Sequence, residues 1–283
     1  MLNRQKTILE FLKTANRPVL RTELTKWSFL LRHEYDSSGG NAFYDFVPYQ
    51  LGPFSFSLYQ EIGKLEEQGY VVKDGQTAWT LSQRVPFTSP ISPVQRDVAR
   101  IVKRFRDWNT EKLLDYVYDE HPEFTVNSAR KKLKPRPVAA PAVFTAGYEG
   151  LSVDAFLNVL IENGVRRVID VRHNPIARRY GFHRSTLQRL TGQLDIDYVH
   201  VPELGIESRH RQNLDTIEDR NALFDRYEQT TLNSNEDALS RVAGLMKERA
   251  SVLVCMESEA RCCHRSRVAD RIAERTSLSI RNL

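Results

Sequence analysis

Cysteine is scarce in this chain: Cys255, Cys262 and Cys263 stand within one short stretch and none occurs elsewhere. Such clustering excludes a disulfide framework spread through a secreted domain and leaves the thiols for chemistry or for metal binding. Long apolar runs are also missing, so no segment reaches the length of a membrane-crossing helix. The opening Met1-Leu-Asn-Arg-Gln-Lys has neither the apolar stretch nor the cleavage site of a secretory signal. The expectation is a cytoplasmic protein with no membrane partner. A large excess of one charge is absent too: a formal net charge of +5 permits an acidic partner such as nucleic acid without requiring one. There is no internal repeat.

The 283 residues, 41% hydrophobic and 27% charged, are enough for two ordinary domains with sizeable cores. Ile8, Leu9, Phe11 and Leu12, then Leu20, Leu24, Trp27, Phe29 and Leu30, recur at helical spacing and predict two amphipathic helices joined at Asn16-Arg17-Pro18. Phe43 to Phe54 is aromatic, extended and broken by proline and glycine. A third helix carries Leu58, Ile62 and Leu65 and ends at Gly69. Tyr70 to Leu81 then predicts a hairpin around Asp74-Gly75. Helices followed by a hairpin make a winged-helix pattern. Tyr49-Gln-Leu-Gly-Pro-Phe-Ser with Leu58 to Gly69 resembles the Panacea antitoxin-type domain, also called domain of unknown function 4065. That resemblance implies a recognition module and allows a role in defence or stress response.

The expected organisation is a winged-helix-like domain over residues 1–85, a helical connector and linker over 86–140, and an α/β domain over 141–283. Val94 to Tyr118 reads as one or two helices bracing the two halves. Ala129-Arg-Lys-Lys-Leu-Lys-Pro-Arg-Pro-Val-Ala-Ala-Pro has the composition of a stiff, solvated linker. From Val143 on, strand and helix alternate, with strands at Val143-Phe-Thr-Ala, Arg167-Val-Ile-Asp-Val, Tyr198-Val-His-Val, Val252-Leu-Val-Cys and Ser279-Ile-Arg. Alternation of this kind predicts a doubly wound, mostly parallel sheet whose ligands bind outside the carboxyl ends of the strands.

The residues after those strands carry chemistry: Gly147-Tyr148-Glu149-Gly150, Asp170-Val-Arg172-His173-Asn-Pro175, His200-Val-Pro-Glu203-Leu-Gly205, and Cys255-Met-Glu257. Ionisable groups gathered on one sheet edge are the layout of an active site. Cys263-His264-Arg265 opens a further helix, whose N-terminus favours anions and lowers a thiol's pKa. These four segments, with Cys263-His264-Arg265 following Cys255 and Glu257, resemble the family called domain of unknown function 488 over residues 143–283. The resemblance implies an enzyme-like α/β domain and leaves the reaction to be argued from residues.

Three functions fit the residues. In the first, a metal-dependent hydrolase or nuclease acts on nucleic acid, DNA in preference. Cys255, Cys263, His264 and His200 or Asp170 hold iron or zinc, and Arg172, Arg265 and Arg178 contact phosphate. Tyr148 or Glu203 relays protons in that scheme. In the second, Cys255 and Arg261 form the anion cradle of a phosphatase- or rhodanese-like thiol enzyme, against which Glu257 and Glu259 weigh. In the third, a transcriptional regulator binds DNA while the α/β domain senses a metal or redox state.

Plainer readings stand beside these. Cys262 reads as a spectator, because neighbouring helical residues point apart. His173, His183 and His210 read as surface histidines, and Asp170 with Arg172 equally as a structural ion pair. Glu203 equally reads as a cap for the segment after it. Arg178, Arg179, Arg184 and Arg189 read as a solvated face, and Trp27, Tyr44, Tyr49, Phe54 and Phe56 as packing.

Overall fold

The structure is a computed structural model that describes residues 1–82, 89–207, 209 and 216–283. The chain divides into two compact units, Met1–Pro135 and Arg136–Leu283.

The first unit opens with α1 (Asn3–Ala15), which buries Ile8, Leu9, Phe11, Leu12 and Ala15 and stops where Asn16 turns left-handed at φ 50°. A short β1 (Val19–Leu20) leads into α2 (Arg21–Glu34), whose Glu23 side chain accepts the Leu20 N–H and caps the helix. The proline- and glycine-broken stretch folds as a hairpin of β2 (Val47–Tyr49) and β3 (Gly52–Phe54). Next comes α3 (Phe56–Glu67), capped by Ser55 through the Leu58 N–H. The strands β4 (Val71–Asp74) and β5 (Ala78–Leu81) then turn at Gly75, φ 61°. β1 joins this hairpin on the β5 side, giving an antiparallel sheet of order β1-β5-β4.

The division of residues 86–140 differs from the sequence expectation. α4 (Ser92–Phe105) and α5 (Thr110–Glu120) do not stand apart as a connector. Val98, Ile101, Val102, Phe105, Leu113 and Val117 enter the same core as Phe11, Trp27 and Phe29. An apolar stripe this continuous is stable only against another apolar surface, and α1 and α2 supply it. Arg130, within the expected linker, pairs with Asp115 and Glu111 on α5 at 2.6 and 2.7 Å. The boundary falls inside that linker, after Pro135.

In the second unit, β6 (Val143–Gly147), α6 (Val153–Glu162), β7 (Arg167–Asp170), α7 (Arg184–Gln193) and β8 (Asp197–His200) are followed by α8 (Ile217–Tyr227) and α9 (Glu236–Glu248). The chain closes with β9 (Ser251–Cys255), α10 (Arg265–Thr276) and β10 (Ile280–Asn282). All five strands are parallel, in the order β10-β6-β9-β7-β8. Every residue of β6, β7 and β9 is buried, as expected of central strands covered on both faces. On one face Val143, Ile169 and Leu253 pack against Leu239, Val242, Val268 and Ile272 of α9 and α10. Their neighbours in sequence, Phe144, Val168 and Val252, point to the other face. Each such side chain contributes about 1.5–3 kcal/mol by leaving water. The doubly wound α/β architecture is therefore the one the alternating pattern calls for. Among the described residues, no helix is long and apolar enough to cross a membrane.

Strand order decides what meets at the carboxyl edge. β9 lies between β6 and β7, with Gly147 opposite Cys255 and Asp170 opposite Val254. β8 lies one strand further out, with His200 opposite Asp170.

One buried lysine contributes to the first unit's response to pH above neutrality. Lys26, 2% exposed, donates to the Leu51 carbonyl and, at 2.8 Å, to the Pro53 carbonyl, pinning the β2–β3 hairpin to α2. Burial pulls its ammonium down from an ordinary 10.5 to about 7. Between those values the unfolded chain holds a proton that the folded chain releases, so stability rises with pH through this window, by up to about 1.4 kcal/mol per pH unit. Urea unfolding of the first unit at pH 7, 8 and 9 should show that rise in the native protein and a flatter profile in Lys26→Met. An equal slope in both would remove Lys26 from this role.

Candidate metal centre

At the end of β9, Cys255 is buried at the middle of the sheet edge. A loop then returns through a short turn at Ala260–Cys262 to Cys263 and His264, which precede α10. Cys255 Sγ lies 3.7 Å and Cys263 Sγ 3.9 Å from His264 Nδ1. The three donor atoms lie within 4.8 Å of one another and all three residues are buried.

The imidazole is aimed by its second nitrogen. His264 Nε2 stands 3.1 Å from the Val171 carbonyl, which only accepts, so Nε2 carries the proton and the Nδ1 lone pair faces both sulfurs. An outer hydrogen bond of this kind is how a metal-binding histidine is oriented. The Tyr227 ring meets the imidazole edge-on at 5.6 Å, and its hydroxyl donates to the Leu204 carbonyl at 2.6 Å. Burial, then the neighbouring Cys255, pushes the Cys263 thiol well above its ordinary pKa. A metal cation would reverse that preference by displacing the proton. Two thiolates and an imidazole suit zinc or iron, and three protein ligands leave a fourth position.

A cavity of about 430 Å³ opens onto Cys263 and His264; its other lining includes Glu149, Glu257, Glu259, Arg220 and Phe224. Sequence reasoning missed Arg220 and Phe224, which come from α8, far along the chain and without a motif.

The remaining expected site residues divide by environment. Asp170 is 0% and Arg172 5% exposed. Arg172 Nε donates to Asp170 Oδ1 at 2.8 Å, and its Nη2 to Oδ2. Its Nη1 donates at 2.9 Å to both the Tyr148 hydroxyl and the Phe182 carbonyl. The Tyr198 hydroxyl adds a 2.6 Å bond to Asp170 Oδ2. Burial opposes the Arg172 charge, but Asp170 and Tyr148 outweigh it and raise its pKa. Tyr148 stacks on Phe182 at 4.1 Å, and burial raises its hydroxyl. Arg172 is thus an internal brace, engaged on three sides, and not an exposed phosphate contact.

Arg265, expected to clamp an anion, is 1% exposed and donates to the Glu257 and Ser258 carbonyls. The expectation fails because the returning loop presents carbonyls where the guanidinium lies. His200, expected as a ligand, is not in the donor cluster found among the described residues. With β7 between β8 and β9 it sits two strands from Cys255, about 10 Å across the sheet. Its Nε2 instead bonds the Arg172 carbonyl at 2.8 Å. Glu203 pairs with Arg241 at 3.2 Å and lines a different cavity with His173. Arg178 is exposed in the loop after β7, and Arg179, Arg184, Arg189, His173 and His183 are exposed as well. Arg261 is exposed and bonds Glu259 at 2.6 Å, so it takes no part in a cradle around Cys255. His210 lies outside the described residues.

Residues 152–272 match the family model described as Domain of unknown function DUF488. The DUF488 match takes in Asp170, Arg172, His200, Cys255, Cys263, His264 and Arg265. Comparison with curated proteins and with solved structures finds no match.

The buried brace inside the DUF488 match can be weighed directly. Arg172→Met leaves the Asp170 carboxylate buried without its cation and should cost about 3–5 kcal/mol in chemical denaturation. The double variant Asp170→Asn/Arg172→Met should recover much of that loss. A single-variant loss below about 1 kcal/mol would contradict the pair's role as a brace.

Proposed function

We propose that the second unit is a metal-dependent hydrolase acting on nucleic acid, with iron or zinc held by Cys255, Cys263 and His264. The observation that carries this reading is the convergence of two buried thiols and one oriented imidazole on a single point beside a cavity. A metal there would supply Lewis acidity and an activated water for attack on a phosphodiester. The protein's own part is to fix His264 through Val171, to keep the thiols dry, and to admit substrate between Phe224 and Glu149. Arg220 brings positive charge to the cavity wall.

Recognition of DNA or of a partner belongs, in this reading, to the first unit. Its order of helix, strand, helix, hairpin, helix and hairpin over α1 to β5, with β1 closing onto β5, supports a winged-helix assignment. So does the resemblance of Tyr49-Gln-Leu-Gly-Pro-Phe-Ser to the Panacea antitoxin-type domain. α3 exposes Lys64 beside Glu67, a mixed surface that favours backbone or protein contacts over base reading. A second reading has its own observation. Glu149, Glu257 and Glu259 outnumber Arg220 around the cavity, which favours a small neutral or cationic substrate over a polyanion.

Elemental analysis of protein purified without chelator or metal-binding tag, followed by cleavage assays on labelled single-stranded and duplex oligonucleotides, tests both readings. Near-stoichiometric iron or zinc is expected in the native protein. Cys263→Ser should lose the metal and slow cleavage at least about 100-fold. Bound metal without cleavage of any nucleic acid would leave the small-substrate reading. Absence of metal from the native protein, handled anaerobically, would overturn both.

A further inference from the structure

Two motifs of the carboxyl edge stand outside the donor cluster: His173 after β7, and Pro202, Glu203 and Gly205 after β8. Both line a second cavity of about 520 Å³. Gly205 lets the two segments meet, since a β-carbon there would stand 2.1 Å from the His173 backbone nitrogen. Further lining comes from the end of α8 and from a single π-helical turn, Glu228–Leu232, in which the Asn233 N–H bonds the Glu228 carbonyl five residues back. Turns of this kind are rare and occur frequently at functional sites. Here the turn puts Thr230 and Thr231 on the cavity wall.

This cavity and the one at the metal centre share Ile206 and Leu223. Tyr227 lines the second cavity and meets edge-on the His264 imidazole, which lines the first. The two spaces are therefore neighbours across one wall of side chains, but their chemistry differs. In the second, the carboxylates are paired, Glu203 with Arg241 at 3.2 Å and Glu207 with Arg209 at 2.8 Å. Ile206, Leu223 and Tyr227 give it an apolar surface, while the hydroxyls of Thr231 and Ser234 and the amide of Asn235 give it hydrogen-bonding groups. Asn235 Nδ2 donates to the Thr231 carbonyl at 2.8 Å, which holds the amide in place and leaves its oxygen to accept. A volume between about 300 and 1,000 Å³ that joins apolar surface to a few placed polar groups is the form of a small-molecule site.

Resting on the reading of the triad as the metal centre of a hydrolase for nucleic acid, we propose that the second cavity holds a nucleoside of the same substrate, next to the phosphodiester that meets the metal. A nucleobase has a flat apolar face and a polar edge, and its sugar carries hydroxyls. The apolar surface suits the face, and Thr231, Ser234 and Asn235 suit the edge and the sugar. Arg226, which also lines this cavity, is exposed, so water and salt screen its charge. Recognition then rests on the uncharged part of the nucleotide, away from the carboxylates of the first cavity.

Calorimetric titration of adenosine and of cytidine into the full-length protein tests this assignment. Binding with a Kd of about 1 mM or tighter is expected, and inorganic phosphate should not displace it. Thr231→Val and Asn235→Ala each remove one hydrogen-bonding group and should weaken binding about fivefold to tenfold with metal content unchanged. A dinucleoside phosphorothioate, whose linkage resists hydrolysis, should bind the native protein about tenfold more tightly than adenosine, an advantage lost in Cys263→Ser. A metal-loaded protein that binds no nucleoside, or binding that both variants retain in full, would overturn the proposal. Displacement of adenosine by phosphate would overturn it too, by making the cavity an anion site. Nucleoside binding that depends on Thr231 and Asn235 in a native protein without metal would instead remove the metal centre and keep the second cavity.

Discussion

The carboxyl edge of the sheet is organised around the buried pairing of Asp170 with Arg172. Asp170 ends β7 and receives Arg172 from two positions along the chain, and Tyr198 reaches it from β8. Arg172 in turn holds the Tyr148 hydroxyl, beyond β6, and the Phe182 carbonyl in the approach to α7. A charge pair removed from water is stable only when its hydrogen-bonding capacity is met, so this pair fixes the three strand ends that meet it. Two carbonyls of the same segment then orient the histidines: Val171 takes His264 and Arg172 takes His200. The direction of the His264 lone pair, and with it the convergence on Cys255 and Cys263, follows from where this segment lies.

Much of the fold was legible in the sequence because parallel central strands leave a strong mark. Runs such as Val252-Leu-Val-Cys have apolar residues on both faces, and only a sheet covered on both sides accommodates them. The hairpin around Gly75 and the breaks at Asn16 and Gly69 were legible for a local reason, since each needs positive φ. The role of α4 and α5 was not. Their apolar stripe predicts burial, but which surface receives it is a long-range fact, and only the packing against α1 and α2 shows that they complete the first core.

The candidate site divides in the same way. Cys255, Cys263 and His264 lie close in sequence, and one returning loop brings them together, so local reading found them. His200 belongs to a motif of the same edge, yet the order of strands sets β7 between it and the thiols. Strand order is not encoded in spacing. Arg172 and Arg265 show the complementary difficulty: sequence displays their charge, while burial and available carbonyls decide that both act inside the protein. Glu149 was visible as part of a motif, but its bonds to Ser258 depend on the contact between the loops after β6 and β9.

The most direct test of this account is X-ray absorption at the metal edge of the purified full-length protein. The account predicts a first shell of two sulfurs at about 2.3 Å and one imidazole nitrogen at about 2.0 Å, completed by a light atom. A first shell of nitrogen and oxygen alone would place the metal away from Cys255, Cys263 and His264 and would contradict it.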